Sequence, residues 1–288
     1  MYTLADDNRI SCLQHLSPIV DSITSKTQFR SIGFRLTFGS IEMTTLGASI
    51  RYIRGICTSS VLGREVPTNL KGRKTSSQLW LHRQLSDPYV EKAKMENYRC
   101  RSAFKLLELN QKHLILSPGM TVVDCGAAPG SWSQVAVHLT NANGMKAESP
   151  KGKVFAIDRS QIYPIDGAIV LGNSDFTTKE TQDKLRERLA GELVDVVLSD
   201  MAPNATGVRN MDHDNIVALA YAALQFALEV SKLDASFVAK IWDGRESKEI
   251  ENDLKRFYKN VKISRPAATR TESSEKFLVA KGFKGLKY

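Results

Sequence analysis

The stretch VVDCGAAPGSWS at residues 122–133 decides the fold of this 288-residue chain. An apolar run ends in Asp124, a turn containing Gly126 and Gly130 follows, and a helix is expected to begin at Ser131. Glycine lets a backbone pass close to a ligand, and ligands of open α/β sheets lie beyond the carboxyl ends of the strands. The stretch therefore predicts a strand, a ligand-binding turn and a helix.

The chemistry of this turn limits the ligand. A dinucleotide-binding turn has the pattern G-x-G-x-x-G, whereas this one has D-x-G-x-x-P-G. Pro129 also removes a backbone N–H that a pyrophosphate would use. A ligand without phosphates fits better, which argues against an NAD oxidoreductase. A strand–helix turn without any ligand remains the alternative.

Strand and helix signals alternate along the rest of the chain. A helical pattern is expected over 87–109. Strands are expected at 121–124, 154–158, 168–171, 194–199, 236–241, 262–265 and 276–280, with helices at 131–139, 178–190, 215–233 and 248–257. This alternation predicts an α/β protein with a mostly parallel sheet and helices on both faces.

The bulk composition points to a polyanionic partner. The chain is 42% hydrophobic and 25% charged, and no apolar run approaches the roughly 18 residues of a membrane span. The net charge is +9, and residues 43–84 carry seven basic side chains against Glu65 alone. Such a segment is a plausible footprint for nucleic acid, although a targeting segment with a solvated face explains it equally well. The four cysteines are widely spaced, which favours a reducing compartment.

Acidic residues close three of the predicted strands. Asp158 ends the second strand, where an acid is expected to accept hydrogen bonds from ribose hydroxyls. It lies farther from Asp124 than usual, because a polar loop at 141–153 is inserted. Asp175 follows the third strand and is expected either to accept from an adenine amino group or to cap a turn. Asp200 follows the fourth strand at the same edge of the sheet.

Two lysines and a glutamate accompany Asp200. Lys240 ends an apolar strand, and a lysine in such a place is uncommon unless it is paired or functional. Glu275 precedes the last strand, and Lys105 lies on the helix before the sheet. A pair of ordinary structural salt bridges is the alternative reading of these four residues.

These motifs resemble the FtsJ/RrmJ family of RNA ribose 2′-O-methyltransferases. The family signature is a Lys–Asp–Lys–Glu tetrad, matched in order by Lys105, Asp200, Lys240 and Glu275 over a similarity that spans roughly residues 80–282. The resemblance implies a Rossmann-like S-adenosylmethionine-dependent methyltransferase fold that needs no metal. It also implies a cofactor site lined by Pro129, Gly130, Ser131, Trp132, Asp158, Asp175 and Asp200. Ser131 departs from the second glycine that many members have.

Within the family, the runs 97–102 and 200–207 look most like the mitochondrial branch. The resemblance therefore implies methylation of a uridine in mitochondrial large-subunit rRNA, with rRNA or a pre-ribosomal particle as partner. Open alternatives are a transfer RNA or messenger-cap substrate, or an RNA-binding assembly factor with little catalysis.

The expected mechanism is an in-line methyl transfer in which the protein aligns the reactants and removes the hydroxyl proton. Lys240 is predicted as the proton acceptor, Lys105 as the residue that positions the ribose, and Asp200 as a contact to both cofactor and base. Phosphate contacts are expected from basic residues on or before the helix leading to Lys105, namely Lys71, Arg73, Lys74, Lys92, Lys94, Arg99 and Arg101, and from Lys281, Lys284 and Lys287 at the C-terminus. Asp212-His213-Asp214 is read as helix capping in preference to a metal cluster.

The N-terminal region divides into two parts. Residues 1–42 form a poorly defined extension, 43–78 a basic presequence-like segment and linker, and 79–288 the catalytic domain. From Met43 to Gly63 the chain has arginines, serines and threonines without any acid, as in a mitochondrial presequence, which predicts a matrix location. We hypothesise that Met43 is the physiological start. N-terminal sequencing tests this, and a mature chain that retains residues 1–42 would contradict it.

Overall fold

The computed structural model describes residues 74, 75, 78, 81, 84–204 and 206–286. The chain divides into a unit at Gln28–Asp87 and a unit that contains Pro88–Tyr288. Described positions of the first unit include the helical residues 75, 78, 81, 84 and 85. The predicted extension at 1–42 and nearly all of the presequence-like segment lie outside the described residues. The following description concerns the unit that begins at Pro88.

The described part of this unit contains six helices and seven strands. The helices are α1 Pro88–Met95, α2 Ala103–His113, α3 Ser131–Thr140, α4 Lys179–Leu189, α5 Arg209–Val230 and α6 Arg245–Phe257. The strands are β1 Thr121–Cys125, β2 Lys153–Ile157, β3 Ala168–Leu171, β4 Val194–Ser199, β5 Ser231–Trp242, β6 Tyr258–Ser264 and β7 Glu275–Phe283.

One seven-stranded sheet organises the unit. Its strand order is β3-β2-β1-β4-β5-β7-β6, and β7 runs antiparallel to both of its neighbours while the pairs from β3 to β5 are parallel. The interior strand β1 is buried along its whole length, as expected for a parallel strand covered on both faces. The predicted α/β fold with a mostly parallel sheet is confirmed.

Alternate side chains of the strands feed two separate cores. Val122 packs with buried residues of α2 and α3 on one face of the sheet, and Val123 packs with residues of α4, α5 and α6 on the other. This follows from the two-residue period of a strand, which turns successive side chains to opposite faces. Helix α2 is thereby held against one face of the sheet, and α2 is the helix that carries Lys105.

Two predicted helices were wrong in their bounds. The pattern at 87–109 is broken into α1 and α2, because Asn97 adopts a left-handed φ of 59° and ends α1. The Tyr98 N–H donates to the Ala93 carbonyl and the Asn97 N–H to that of Lys94, which is a Schellman cap. The helix predicted over 215–233 begins six residues earlier, at Arg209, and ends at Val230, because Ser231 already pairs with Val194 as the start of β5.

Among the described residues, no helix combines the length and the apolar character that a membrane crossing requires.

Candidate active site

The carboxyl ends of the parallel strands bring three acids to one edge of the sheet. Asp124 lies in β1, Asp158 directly follows β2, and Asp200 directly follows β4. The Asp200 N–H donates to the Cys125 carbonyl at 3.2 Å, which ties the β4 end to the β1 end. The sequence-based placement of these acids at a common edge is confirmed.

The turn after β1 passes against the loop after β4. Gly126 has a φ of 79°, and a Cβ atom there would lie 2.9 Å from the Cα atom of Met201, the residue after Asp200. Glycine is therefore required both by the backbone conformation and by the close approach. The N–H groups of Gly126 and Ala127 donate to the Ile157 carbonyl, which fixes the turn against β2.

Asp124 is fully buried beneath this turn. Its Oδ2 accepts a 2.6 Å hydrogen bond from the Ser133 hydroxyl of α3, and its Oδ1 has no hydrogen-bond partner among the described residues. Burial, together with the nearby charges of Asp200 and Asp158, raises the pKa of Asp124 to about 7 even though the Ser133 hydrogen bond opposes this. The edge is thus crowded with carboxylates and favours a ligand that carries positive charge.

Asp158 and Asp175 are held by local hydrogen bonds. The Ala128 N–H donates to Oδ2 of Asp158 at 3.0 Å, which points this carboxylate at the turn after β1. Oδ1 of Asp175 accepts from the N–H and the hydroxyl of Thr177. Asp175 therefore caps a turn, one of the two roles expected for it, and the adenine contact remains a proposal.

The side chains that follow the turn point into the protein. Trp132 is buried, and its Nε1–H donates to the Ser102 carbonyl at 2.9 Å. The Ser131 hydroxyl lies 3.0 Å from the Cys100 sulfur. A ligand at the turn would therefore meet the backbone of Ser131 and Trp132 more than their side chains, which refines the predicted cofactor contacts.

Lys240 and Asp200 form a buried ion pair. The Lys240 ammonium lies 3.0 Å from Asp200 Oδ1 and donates to the Asp200 backbone carbonyl at 2.6 Å. Its side chain is only 8% exposed, although it stands in a strand of apolar residues. A buried charge of this kind is stable only with a partner, so removal of either residue leaves the other uncompensated.

Lys105 and Glu275 form the second ion pair. The Lys105 ammonium lies 2.6 Å from Glu275 Oε1, and both side chains are mostly buried. The Lys105 ammonium also lies 5.8 Å from the centroid of the Phe277 ring, which packs against Trp132. The second ion pair is thereby seated beside the helix that follows the β1 turn.

The two ion pairs belong to one cluster. Ser102, three residues before Lys105, donates to Asp200 Oδ2 at 2.9 Å. Across β5 and β7, Lys240 pairs in register with Phe277 and Trp242 pairs with Glu275. Paired residues share a face of the sheet, so Lys240 and Glu275 are diagonal neighbours on the face that α2 covers. The structure thus brings together all four residues of the predicted tetrad.

Several basic residues predicted to contact RNA have partners within the protein. Arg99 lies in the turn between α1 and α2, and its guanidinium donates to the carbonyls of Pro129, Tyr163 and Pro164 at 2.6–2.8 Å. Arg101 donates to the Ala268 carbonyl and lies over the Tyr89 ring. Both arginines are half-buried and join separate parts of the chain, and their contact with RNA phosphate stays a prediction.

Other predicted phosphate contacts also have structural partners. Lys92 pairs with Glu96 and lies 4.7 Å from the Phe104 ring centroid, and Lys284 donates to carbonyls at the end of α6. Lys74 and Lys94 are exposed, while Lys71, Arg73 and Lys287 lie outside the described residues.

Residues 212–214 lie inside α5 and not at its N-cap, which is Val208, so the predicted N-capping was wrong in its position. Asp212 binds backbone groups that precede the helix. Asp212 accepts from the hydroxyl and N–H of Thr206 and from the Gly207 N–H. These hydrogen bonds, the Thr206 hydroxyl first, hold the pKa of Asp212 below its usual value. Within the described part of the chain, no group of three or more His, Cys, Asp or Glu side chains is placed to hold a metal ion.

Sequence reasoning missed three residues that hold the site together. Ser102 and Ser133 hydrogen-bond to Asp200 and Asp124, and Arg99 joins the β1 turn to the loop at 163–164. Serine has little pattern of its own, so the spacing to the acids gave no signal. Arg99 did give a signal, because it stands in a run typical of the family, but its charge suggested RNA.

An open α/β sheet of this order, with acids at the carboxyl ends of its parallel strands and β7 inserted antiparallel, defines a Rossmann-like methyltransferase. The family model of the FtsJ-like methyltransferase matches residues 98–283, and the chain belongs to this family.

The names of similar proteins are consistent with this family assignment. The chain is 55% identical over 222 residues to the rRNA methyltransferase 2, mitochondrial, of Drosophila melanogaster, covering 77% of this chain and 89% of that one. It is 47% identical over 215 residues to the ribosomal RNA large subunit methyltransferase E of Cereibacter sphaeroides, covering 75% and 87%. A solved structure of a ribosomal RNA methyltransferase from Plasmodium falciparum superposes with a TM-score of 0.58 at 28% identity, covering 66% of this chain and all of that one.

The pKa of Asp124 predicts a pH-dependent stability. Between its ordinary value of 3.8 and about 7, the folded protein holds a proton that the unfolded chain releases. The stability from this proton is present below the unfolded pKa and is lost as the pH rises through the folded one. Asp124→Asn cannot ionise, so we expect it to gain roughly 1–3 kcal/mol relative to wild type between about pH 5 and about pH 8. Urea unfolding measures this, and a difference that does not change with pH would contradict it.

The hydrogen bonds from Arg99 to the carbonyls of Pro129, Tyr163 and Pro164 predict that this residue supports cofactor binding at the turn after β1. Arg99→Gln removes the charge-assisted bonds to Pro129 and to the 163–164 loop, so binding of S-adenosylmethionine should weaken roughly tenfold, about 1.4 kcal/mol. Isothermal titration measures this. Arg188→Gln, at an exposed position of α4, is the matched control and should bind as wild type does. Unchanged cofactor affinity with weakened RNA binding would instead support the phosphate-contact prediction for Arg99.

Proposed function

We propose that the protein transfers a methyl group from S-adenosylmethionine to the ribose 2′-hydroxyl of one nucleotide, a uridine of mitochondrial large-subunit rRNA. The observation that carries this proposal is the cluster of two buried ion pairs, Lys240–Asp200 and Lys105–Glu275, at the carboxyl edge of the sheet. This chemistry needs a proton acceptor and aligned reactants, and the cluster offers two amines at one place.

The residues at the β1 turn fit S-adenosylmethionine. When bound, this cofactor supplies an activated methyl group on a positively charged sulfonium. The acidic groups of Asp124, Asp158 and Asp200 favour such a charge. Burial, together with the charges of Asp200 and Asp158, raises the pKa of Asp124. Gly126 lets the turn pack closely against Met201, Gly130 lets it pack against Arg99 and Ile165, and the Asp158 carboxylate accepts from the turn at the Ala128 N–H. Asp158 would accept from the ribose hydroxyls of the cofactor, and Asp175 from its adenine amino group.

The tetrad residues divide the remaining work. Lys240 would first release its ammonium proton to solvent, and the neutral amine would then accept the proton of the 2′-hydroxyl as the oxygen attacks. Asp200 would orient Lys240 and touch the cofactor. Lys105, held by Glu275, would position the ribose. Because each lysine has an acid of its own, the cluster stays close to neutral when it is closed to water.

The RNA substrate and its compartment are supported by relatives. The Drosophila relative is named a mitochondrial rRNA methyltransferase, and the bacterial one a large-subunit rRNA methyltransferase. The presequence-like composition of residues 43–63 agrees with a mitochondrial address. We therefore place the substrate in mitochondrial large-subunit rRNA, free or in a pre-ribosomal particle, and the protein in the matrix.

The experiment that tests the proposal maps ribose 2′-O-methylation across cellular and mitochondrial RNA with and without this protein, then restores wild type or Lys240→Ala. We expect loss of the methyl group at one uridine of mitochondrial large-subunit rRNA, restored by wild type alone. In the purified protein, Lys240→Ala should lower turnover by at least about 100-fold, the scale of general-base loss, and leave cofactor affinity nearly unchanged.

Lys240→Met serves as the size-matched control for that experiment. It keeps the apolar stem in β5 and removes only the amine, so both variants should be equally inactive if the amine carries the chemistry. An unchanged methylation map would contradict the proposed activity and favour a non-catalytic role in ribosome assembly. If a methyl group were lost only from transfer RNA or from a messenger cap, that RNA would be the substrate in place of rRNA.

A further inference from the structure

A cavity opens beside the C-terminal end of α2, away from the tetrad. Its volume is about 320 Å³, and its lining consists of Lys112, His113, Asn260, Lys262, Val279 and Lys281. In register, Lys262 pairs with Val279 and Asn260 with Lys281. Paired residues share a face, so β6 and β7 form one wall of the cavity and the end of α2 forms the other.

The lining is cationic and contains no carboxylate. Lys281 is fixed, because its ammonium donates to the carbonyls of His113 and Leu114 at the end of α2. Lys112 and Lys262 are exposed and form no ion pair with any residue that the structure describes. Three ammonium groups thus converge on one cavity, whereas Lys184, Lys232, Lys255 and Lys259 elsewhere each have a carboxylate partner.

The imidazole of His113 lies among these charges. Burial lowers its pKa, and the charges of Lys112, Lys262 and Lys281 lower it further, with no acid acting in the opposite direction. Its Nε2 is buried and has no hydrogen-bond partner among the described residues. The three lysines come from α2, β6 and β7, so every element around the imidazole contributes positive potential. A neutral partner would gain little from this potential, and an anion would gain much.

The cavity and the tetrad share two structural elements. Helix α2 carries Lys105 at its start and Lys112 at its end, about 10 Å apart along the axis at 1.5 Å per residue. Strand β7 carries Glu275 at its start and Lys281 six residues later, roughly 20 Å along the strand. A strand of RNA with one ribose at the tetrad would extend over distances of this order within a few nucleotides.

We propose that this cavity binds a backbone phosphate of the RNA strand, at a nucleotide other than the one that is methylated. The proposal rests on the proposed function, because it assumes an RNA substrate. Lys112 and Lys262 supply mobile charges, Lys281 supplies a fixed one, and the Asn260 amide supplies a neutral donor. Contacts of this kind fix the register and orientation of a nucleic acid without reading its sequence.

Two measurements test the cavity. The first follows the His113 imidazole resonances during titration with inorganic phosphate, which should shift them in wild type and not in Lys112→Gln/Lys262→Gln. The second measures affinity for an rRNA fragment against salt concentration. The double variant should bind roughly five- to tenfold more weakly, and its salt slope should fall by about 0.7, the value for one phosphate contact on a single strand.

The matched control is Lys146→Gln/Lys179→Gln, which makes the same charge change at two exposed lysines outside the cavity. It should retain the wild-type RNA affinity and salt slope. Equal weakening by the two double variants would overturn the proposal, because only net charge would then matter. A His113 shift with oligoglutamate and none with RNA would also overturn it in favour of an acidic protein partner.

The experiments give different results if the cavity does not bind phosphate and if the proposed function is incorrect. In one case, wild type methylates rRNA and binds S-adenosylmethionine while Lys112→Gln/Lys262→Gln has the same RNA affinity and salt slope as the control variant. That result would refute phosphate binding in the cavity and leave the proposed function intact. If wild type binds RNA through the cavity but transfers no methyl group, the function is wrong. Cofactor affinity is expected to be the same in both double variants, which shows that each is folded.

Discussion

The carboxylate of Asp200 is the group on which the rest of the site depends. It is mostly buried at the end of β4, and a buried charge must be compensated where it stands. Lys240 of β5 compensates it, Ser102 at the start of α2 donates to it, and its charge helps to raise the pKa of Asp124 in β1. The Asp200 carboxylate therefore links β4, β5 and α2 at the place where the reaction is proposed.

The topology explains why these groups meet. Parallel strands end at one edge, which places Asp124, Asp158 and Asp200 side by side, and the antiparallel β7 enters at that same edge with Glu275 as its first residue. Helix α2 covers one face of the sheet and brings Lys105 to Glu275. This crowding brings several negative charges together. Lys105 and Lys240 compensate two of the acids, and the remaining negative charge favours a cationic ligand.

The sequence predicted those parts of the site that follow from strand periodicity and topology. The turn at 122–133 and the acids at strand ends were placed correctly, because parallel strands leave no choice of edge. Salt bridges among the four residues were considered as an alternative, but which acid pairs with which lysine was not predicted, since it depends on side-chain directions across α2, β5 and β7. The hydrogen bonds of Arg99 and Arg101 to backbone carbonyls were not predicted, because their partners lie at least 30 residues away in the sequence. Charge alone does not reveal whether an arginine faces phosphate or a carbonyl.

A double-mutant cycle shows whether the two ion pairs act as one unit. Ser102→Ala removes the hydrogen bond to Asp200, and Glu275→Gln removes the charge that holds Lys105. Single-turnover methyl transfer would be measured for wild type, both single variants and the double variant. Coupled residues lose less together than the product of their separate losses, whereas independent sites add in free energy. We expect the double variant to be only slightly slower than the slower single variant. Losses that multiply fully would contradict it.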